Sequence, residues 1–247
     1  MIVLYRIYQL FIMAPLMLVA TFLAAVSTII GCALGGGRWW GYYPAHWWGR
    51  LFCILTLVRV RVKGTENIEK GKSYVFVANH QGAYDIFSIY GYLPHQFRWM
   101  MKAALRSIPL VGLACERSKQ IYVDNSSPSA LRHTMERAED VLRHGISVVV
   151  FPEGARTYNG KMRRFKRGAF MLATEFGLPL VPVTIDGAFQ VLPRTRKIPH
   201  WGTITLTIHR PIAPPATPEQ QPQVMDECFR TINASLPARY RQEVKSE

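Results

Sequence analysis

A histidine and an aspartate stand five residues apart in the segment FVANHQGAYDIFSI, at positions 76–89. His80 and Asp85 lie between an apolar run typical of a buried strand and one typical of a helix. Residues five apart do not share a face of a regular helix, but a turn at Gly82 would fold the carboxylate back onto the imidazole. The other ring nitrogen would then be free to act as a general base. The alternative is a buried structural histidine beside a helix cap.

The segment FPEGARTYNG follows the apolar run SVVVF in a similar way. Pro152 and Gly154 indicate a tight turn that exposes backbone N–H groups, and the guanidinium of Arg156 can bind a phosphate through two hydrogen bonds. Side chains at the carboxyl ends of strands in α/β proteins line one crevice. We therefore expect Glu153, Gly154 and Arg156 to face the same crevice as His80.

Further charged residues extend this predicted anion site. The run KMRRFKR at 161–167 has five basic residues in seven positions, and Lys102 ends the apolar segment FRWMMK. The alternative for both is an ordinary solvated surface. Pro182, within LPLVPVTIDG, predicts an edge strand or a bend beside the site. The remaining histidines have no metal-ligand spacing, and no Gly-rich nucleotide loop or G-x-S-x-G elbow occurs, so we predict neither a metal site nor a cofactor.

The elements that must position these residues alternate between strand and helix patterns, which predicts an α/β fold with a mixed, mainly parallel sheet flanked by helices. The pattern predicts strands at 57–64, 73–78, 97–102, 119–124, 147–151, 180–185 and 203–209. It predicts helices at 86–92, 131–142, 169–176 and 219–236.

The amino-terminal part of the chain has a different character. Positions 7–37 contain no charged residue. Positions 16–34, which follow Pro15, are long enough to cross the hydrocarbon core of a membrane, for which a helix needs ~20 apolar residues. Tryptophans and tyrosines typical of a membrane boundary follow, and the apolar run 51–58 is expected to lie in the interface or to pair with the first helix. Lipoprotein processing at Cys32 is the alternative to a retained anchor. We predict an anchor with an aromatic interface segment at 1–49 and a catalytic domain at 50–247.

The net charge of +14 and the isoelectric point near 9.9 favour anionic partners such as phospholipid headgroups, nucleic acid or phosphorylated substrates. The four cysteines are scattered, which excludes a disulfide framework of the secreted type and favours a reducing compartment. A non-enzymatic membrane-surface or nucleic-acid-binding protein would explain the charge but not the His/Asp pair. We therefore expect anionic membrane lipids, rather than nucleic acid, as partners.

Four ordered segments spanning about 57–187 together resemble the glycerolipid acyltransferases: NHQGAYD, IPLVG with QIYVD, FPEGART with FKRGAF, and LPLVPV. The resemblance implies the glycerolipid acyltransferase fold. It also implies transfer of an acyl chain from acyl-CoA or acyl carrier protein to the free hydroxyl of lysophosphatidic acid, which gives phosphatidic acid. The alternative within the same fold is an acyltransferase for another lyso-lipid acceptor. The expected location is the inner membrane, with the catalytic domain facing the cytoplasm.

The resemblance also assigns roles to residues. It implies that His80 and Asp85 form a catalytic dyad and that Glu153, Gly154 and Arg156 belong to an acceptor-phosphate motif. Lys102, Arg164 and Lys166 are expected to assist phosphate binding, while Asn79, Pro152 and Pro182 support the motifs. One departure is Asn125, where members commonly carry arginine, and this leaves Arg117 or Arg164 as candidates to replace that contact.

Overall fold

The computed structural model of the protein describes residues 1–123, 127–143 and 145–243. Within these residues seven strands form one sheet in the order β1-β7-β6-β2-β5-β3-β4. The strands are β1 Val58–Lys63, β2 Val75–Ala78, β3 Phe97–Lys102, β4 Ile121–Val123, β5 Ser147–Val150, β6 Leu180–Asp186 and β7 Gly202–Ile208. The predicted strands at 57–64, 73–78, 97–102, 119–124, 147–151, 180–185 and 203–209 all correspond to these.

The α-helices flank the sheet, and short 3₁₀ turns join several of them. They are α1 Ile2–Tyr8, α2 Ala14–Ala33, α3 Gly37–Trp40, α4 Tyr43–Leu55, α5 Tyr84–Tyr92, α6 Val111–Arg117, α7 Pro128–Arg143, α8 Gly168–Phe176, α9 Ala188–Val191 and α10 Gln221–Ser235. The four helices predicted for the second part of the chain correspond to α5, α7, α8 and α10, with boundaries shifted by at most three residues.

The sheet is mixed and mainly parallel, as the sequence predicts. Strands β6, β2, β5, β3 and β4 run parallel to one another, whereas β1 and β7 run parallel to each other and antiparallel to β6. The carboxyl ends of β2 and β5 are therefore neighbours. This brings the segment that follows Ala78 and the segment that follows Val150 to the same edge of the sheet.

Both faces of the central strands are buried. In β2, Phe76 and Ala78 pack into one apolar cluster, while Val75 and Val77 pack into the cluster on the opposite face. A strand covered on both faces needs apolar residues at every position, which explains the continuous apolar runs of β2 and β5. This packing fixes the two strand ends from which the site is built.

Pro182 does not lie in an edge strand, so that part of the prediction is wrong. It sits inside β6, opposite Val77 of β2. Its carbonyl oxygen accepts a hydrogen bond from the backbone N–H of His209, just beyond the point where β7 pairs with β6. The proline is tolerated in an interior strand because its missing N–H falls where the regular β6–β7 ladder has already ended.

One helix of the described residues is long and apolar enough to cross a membrane. It runs from Ile2 to Ala33 and consists of α1, a π-helical turn at Gln9–Met13 and α2, with Pro15 in the first turn of α2. We call it the N-terminal helix. It begins fourteen residues earlier than the predicted span of 16–34, because the chain is already helical before Pro15 and the π-helical turn joins α1 to α2.

The apolar run 51–58 pairs with the N-terminal helix, as one of the two predictions for it required. It forms the second half of α4 and the start of β1. The indole N–H of Trp48 donates to the hydroxyl of Thr21 at 2.9 Å, and the hydroxyl of Tyr5 donates to the carbonyl of Thr56 at 2.8 Å. The predicted boundary between anchor and catalytic domain, at 49/50, falls inside α4. This helix packs both on the N-terminal helix and on α5.

Candidate active site

The end of β2 is fixed to β6 by the side chain of Asn79. Its amide nitrogen donates to the carbonyl of Ile185 at 2.9 Å, and its amide oxygen accepts from the N–H of the same residue at 2.7 Å. Gly82 then passes so close to α9 that an added Cβ would lie 2.4 Å from the carbonyl oxygen of Ala188. The turn between β2 and α5 is therefore held at both of its ends, and His80 lies within it.

The ring of His80 is paired with Asp85 in the geometry that the sequence predicts. Nδ1 of His80 lies 2.8 Å from Oδ2 of Asp85, and the same oxygen accepts the N–H of Gly82 at 2.8 Å. Asp85 is fully buried in the first turn of α5, where the helix dipole favours a negative charge. Because a carboxylate only accepts, Nδ1 carries the proton and Nε2 is left as the basic nitrogen.

An aromatic stack supports the imidazole from one side. The ring of Phe151 lies parallel to that of His80, with centroids 4.0 Å apart and planes 4° apart, and Trp99 stacks on Phe151 from the other side at 5.0 Å. The His80 side chain keeps 13% of its surface exposed, and that surface opens into a cavity. The stack and Asp85 together restrict the rotation of the ring.

The cavity has a volume of about 900 Å³ and reaches from His80 to the N-terminal helix. Most of its wall is apolar and includes Ile86, Met100, Ile108 and Val111. The N-terminal helix contributes the small residues Thr21, Ala24, Ala25 and Thr28 to the wall. Ile108 and Val111 belong to the segment IPLVG, so one of the segments that carry the family resemblance forms part of this wall.

Cationic side chains line the same cavity, together with the ring of His80. They are Lys102, Arg156, Lys166, Arg167 and Arg194. Gly154 adopts a left-handed conformation with φ of +71° in the turn after β5, so that a side chain there would be strained and would press on Lys166. The N–H groups of Ala155 and Arg156, which follow this turn, donate no hydrogen bond to another described residue. An anion placed here would meet cations and free backbone donors.

Glu153 does not face the cavity, which corrects the prediction that it opens into the same crevice as His80. Its two carboxylate oxygens accept the backbone N–H groups of His80 and Arg163, each at 2.7 Å. Burial raises the pKa of this carboxyl group to about 8, and the nearby Asp85 charge adds to the shift. Glu153 therefore connects the turn after β2 to the basic loop, and a negative charge at this position would not attract phosphate.

Two of the predicted cations lie away from the large cavity. Arg164 lines a separate cavity of about 300 Å³, together with Tyr158 and Gln242. Arg117 ends α6 and is not part of the large cavity's wall. Asn125, the position at which the sequence departs from the family pattern, lies outside the described residues. The cations that line the cavity without having been singled out individually are Arg167 and Arg194.

The supporting prolines take different positions. Pro152 lines the cavity, and its carbonyl oxygen accepts the N–H of Lys166 at 2.9 Å, which folds the basic loop back over the turn. Pro182 is buried in β6, one strand away. Among the described residues no three His, Cys, Asp or Glu side chains lie close enough together to hold a metal ion.

A family model described as Acyltransferase matches residues 59–186, which is more than half of the chain. The chain belongs to the acyltransferase family. The matched part includes the dyad, the turn after β5 and the basic loop. It ends at the last residue of β6, so that the N-terminal helix and α10 lie outside it.

Known relatives share this part of the chain. A chloroplastic 1-acyl-sn-glycerol-3-phosphate acyltransferase of Arabidopsis thaliana is 29% identical over 173 residues, covering 69% of this chain and 48% of its own. The human alpha form is 35% identical over 130 residues, covering 52% of this chain and 46% of its own. A Pseudomonas aeruginosa enzyme of the same name is 33% identical over 156 residues, covering 63% and 60%. The chain thus spans about half the length of the plant and human relatives.

Among solved structures, the chain is similar to the 1-acyl-sn-glycerophosphate acyltransferase PlsC of Thermotoga maritima. The TM-score is 0.72 at 27% sequence identity, and the similarity covers 91% of each chain. The likeness therefore extends beyond the matched family segment and includes the elements on either side of it.

Proposed function

We propose that the protein transfers an acyl chain from an acyl thioester to the free hydroxyl of 1-acyl-glycerol-3-phosphate and so forms phosphatidic acid. The observation that carries this proposal is that the imidazole of His80 and the guanidinium of Arg156 line one cavity. A single acceptor molecule can therefore place its hydroxyl at the base and its phosphate among the cations. The names of the relatives support this choice of acceptor.

The reaction proceeds by direct transfer. Nε2 of His80 removes the proton from the acceptor hydroxyl, and the oxygen attacks the thioester carbonyl. The buried charge of Asp85 stabilises the imidazolium, which then gives its proton to the leaving thiolate. The free N–H groups of Ala155 and Arg156 are candidates to stabilise the oxyanion. We expect no acyl-enzyme, because among the described residues no serine or cysteine hydrogen-bonds to the ring of His80.

Phosphate binding falls to the cations that line the cavity. Arg156 is the principal ligand, because its planar guanidinium can bind two phosphate oxygens, and Lys102 and Lys166 add point charges. Arg167 and Arg194 complete the positive end of the cavity. Glu153 is a positioning residue, since it holds the N–H groups of His80 and Arg163 rather than touching the acceptor. The apolar remainder of the cavity suits a fatty acyl chain, from acyl-CoA or acyl carrier protein.

The enzyme is held at the membrane by the N-terminal helix, whose outer face is exposed and apolar. The 32 residues of this helix correspond to a length of about 48 Å. The helix contacts the rest of the protein near both ends: Arg6 donates a hydrogen bond to the carbonyl of Pro199, and Gly31 lies against the ring of Trp40. A perpendicular crossing would draw the catalytic part into the hydrocarbon, so this contact favours a helix that lies along the bilayer surface. We place the protein at the inner membrane with its catalytic part, 50–247, on the cytoplasmic side, where acyl thioesters are available.

The test is thioester consumption by the full-length protein in membranes, with lysophosphatidic acid, glycerol 3-phosphate and a panel of other lysophospholipids as acceptors. We expect consumption with lysophosphatidic acid, and a rate lower by about 10²–10⁴-fold for His80→Ala, because a general base contributes that much. Near-normal turnover of His80→Ala, or a preference for another acceptor, would contradict the proposal.

A further inference from the structure

The loop that follows α9 exposes two large apolar side chains. In residues 194–201, which we call the 194–201 loop, Ile198 is 51% exposed and Trp201 is 39% exposed. The loop leaves Pro193, which bridges to Gly82 of the catalytic turn, and leads into β7. Exposed apolar groups are common singly, but here they adjoin another exposed apolar surface, that of the N-terminal helix.

Three contacts attach the loop to the beginning of the N-terminal helix. The ring of Trp201 meets that of Tyr5 edge to face, with centroids 4.7 Å apart. The carbonyl oxygen of Pro199 accepts hydrogen bonds from Gln9 at 2.8 Å and from Arg6 at 3.3 Å. The exposed apolar surface of Ile2, Val3 and Leu4 therefore continues onto the loop.

The loop is also strongly basic. Arg194, Arg196 and Lys197 are exposed, and between Asp186 and Glu219 the sequence contains no acidic residue. None of the three cations belongs to an ion pair between described residues. Cations next to exposed Trp and Ile side chains are the pattern of a segment at a membrane–water boundary.

We propose that the 194–201 loop is a second membrane-docking element, which binds a bilayer surface rich in anionic lipid. Ile198 and Trp201 enter the headgroup region, and Arg196 and Lys197 contact lipid phosphates. The proposal rests on the proposed membrane location and adds a surface that the N-terminal helix alone does not provide. The loop also carries Arg194 into the wall of the cavity, so docking places the cationic end of the cavity beside the lipid surface.

An acidic protein such as an acyl carrier protein is the competing partner for a basic loop. The continuity of the loop with the apolar N-terminal helix favours the bilayer. The negative charge of an acidic protein would match the cations of the loop, but it would not account for the exposed apolar surface of Ile198 and the helix. The two partners are separated by the experiment below.

The experiment compares the full-length protein with the triple variant Arg196→Gln/Lys197→Gln/Ile198→Ser. Binding is measured by flotation while vesicles are titrated in, using pure phosphatidylcholine or phosphatidylcholine with roughly one third phosphatidylglycerol. The two lost charges and the lost apolar group should raise the lipid concentration for half-binding to anionic vesicles by about tenfold or more. The effect on neutral vesicles should be smaller.

The matched control is Lys63→Gln/Arg210→Gln, which also removes two exposed cations. Lys63 is the last residue of β1 and Arg210 lies just past the end of β7, about 23 Å from the loop along β7, so anionic vesicle binding should remain as in the wild type. Equal titration curves for the triple variant and the wild type would overturn the proposal. So would equal losses in the triple variant and the control, because the effect would then be net charge.

Activity measurements separate the remaining outcomes. With a short-chain lysophosphatidic acid that is monomeric in solution, the triple variant should turn over as fast as the wild type, because it lacks no group that lines the cavity. A KM for acyl carrier protein raised about tenfold, with unchanged vesicle binding, would assign the loop to protein docking instead and overturn the proposal. If the wild type consumes no thioester, the proposed function fails, but the flotation result still decides the role of the loop.

Discussion

Asp85, at the start of α5, and Glu153, in the turn after β5, are the two buried carboxyl groups of the site, and the strands before them are neighbours in the sheet. Asp85 accepts one side-chain donor, the imidazole of His80, and one backbone N–H. Glu153 accepts backbone donors only, from His80 and Arg163. Both groups thus contact residue 80, one through its ring and the other through its main chain.

The difference shows that the donors around a carboxyl group decide its role. Asp85 accepts its side-chain hydrogen bond from an ionisable ring, so it can stabilise the imidazolium that forms when His80 takes up a proton. Glu153 lacks a charged partner in a hydrogen bond, and burial raises its pKa to about 8. In the proposed mechanism Asp85 therefore takes part in proton transfer, while Glu153 fixes the backbone that carries His80.

The largest effect is expected for Asp85→Asn. The amide keeps the shape of the side chain but provides no charge to stabilise the imidazolium, so kcat should fall by about 10²–10⁴-fold. The measurement is single-acceptor kinetics with lysophosphatidic acid, together with thermal unfolding to show that the fold is retained. A kcat within about threefold of the wild type would remove the distinction between the two carboxyl groups.

The next effect is expected for Arg156→Ala. Loss of a charged hydrogen-bonding group worth about 1.5–3 kcal/mol should raise the KM for lysophosphatidic acid by about 10–100-fold, with a smaller change in kcat. Arg164→Ala is the matched control, because Arg164 comes from the same basic region but lines the other cavity. If the two variants raise KM equally, phosphate binding is not localised at the turn after β5.

A smaller effect is expected for Phe151→Leu, which removes the ring that stacks on His80. Aromatic stacking contributes about 0.5–1.5 kcal/mol beyond burial, so kcat should fall by about 3–10-fold while the KM for the acceptor stays constant. Phe151→Tyr keeps the ring and should keep the rate. A change in KM rather than kcat would assign Phe151 to substrate binding instead of ring placement.

The smallest effect on rate is expected for Glu153→Gln, which should act mainly on stability. The folded protein holds the Glu153 proton more tightly than the unfolded chain, whose ordinary pKa is 4.5. The wild type should therefore lose stability as pH rises from about 4.5 to about 8, and the variant should not lose this part. The measurement is Tm for both proteins at about pH 5.5, 7 and 8.5.

In that series, Tm of Glu153→Gln minus Tm of the wild type should increase with pH. A constant difference would mean that Glu153 keeps an ordinary pKa in the folded protein. A loss of kcat as large as that of Asp85→Asn would show that both carboxyl groups take part in proton transfer.

Local patterns were sufficient to predict the strands, the longer helices of the second part of the chain and the pairing of His80 with Asp85. His80 and Asp85 are close in the chain, and the turn at Gly82 that joins them depends on local geometry. The phosphate side was less predictable, because its cations come from separate segments. Arg194 enters the cavity from the loop after α9, and nothing in its neighbourhood marks it as part of the site.

Other differences arise from tertiary contacts that a single sequence does not contain. The proline at 182 was compatible with an edge strand until the order of the strands was known. The basic residues of the run KMRRFKR divide between two cavities: the first three, which include Arg164, line the small cavity, and the last two, Lys166 and Arg167, line the large one. The aromatic character of Phe151 is visible in the sequence, but its stacking on the ring of His80 depends on two strands becoming neighbours.

The small residues that the N-terminal helix contributes to the cavity have a practical consequence for preparing the protein. A truncated version made water-soluble by deleting that helix would remove the part of the wall formed by Thr21, Ala24, Ala25 and Thr28. The interior that suits a fatty chain would then fill with water. Such a shortened protein could retain the dyad and still have lost its selectivity among donors, so kinetic comparisons require the intact chain in lipid or detergent.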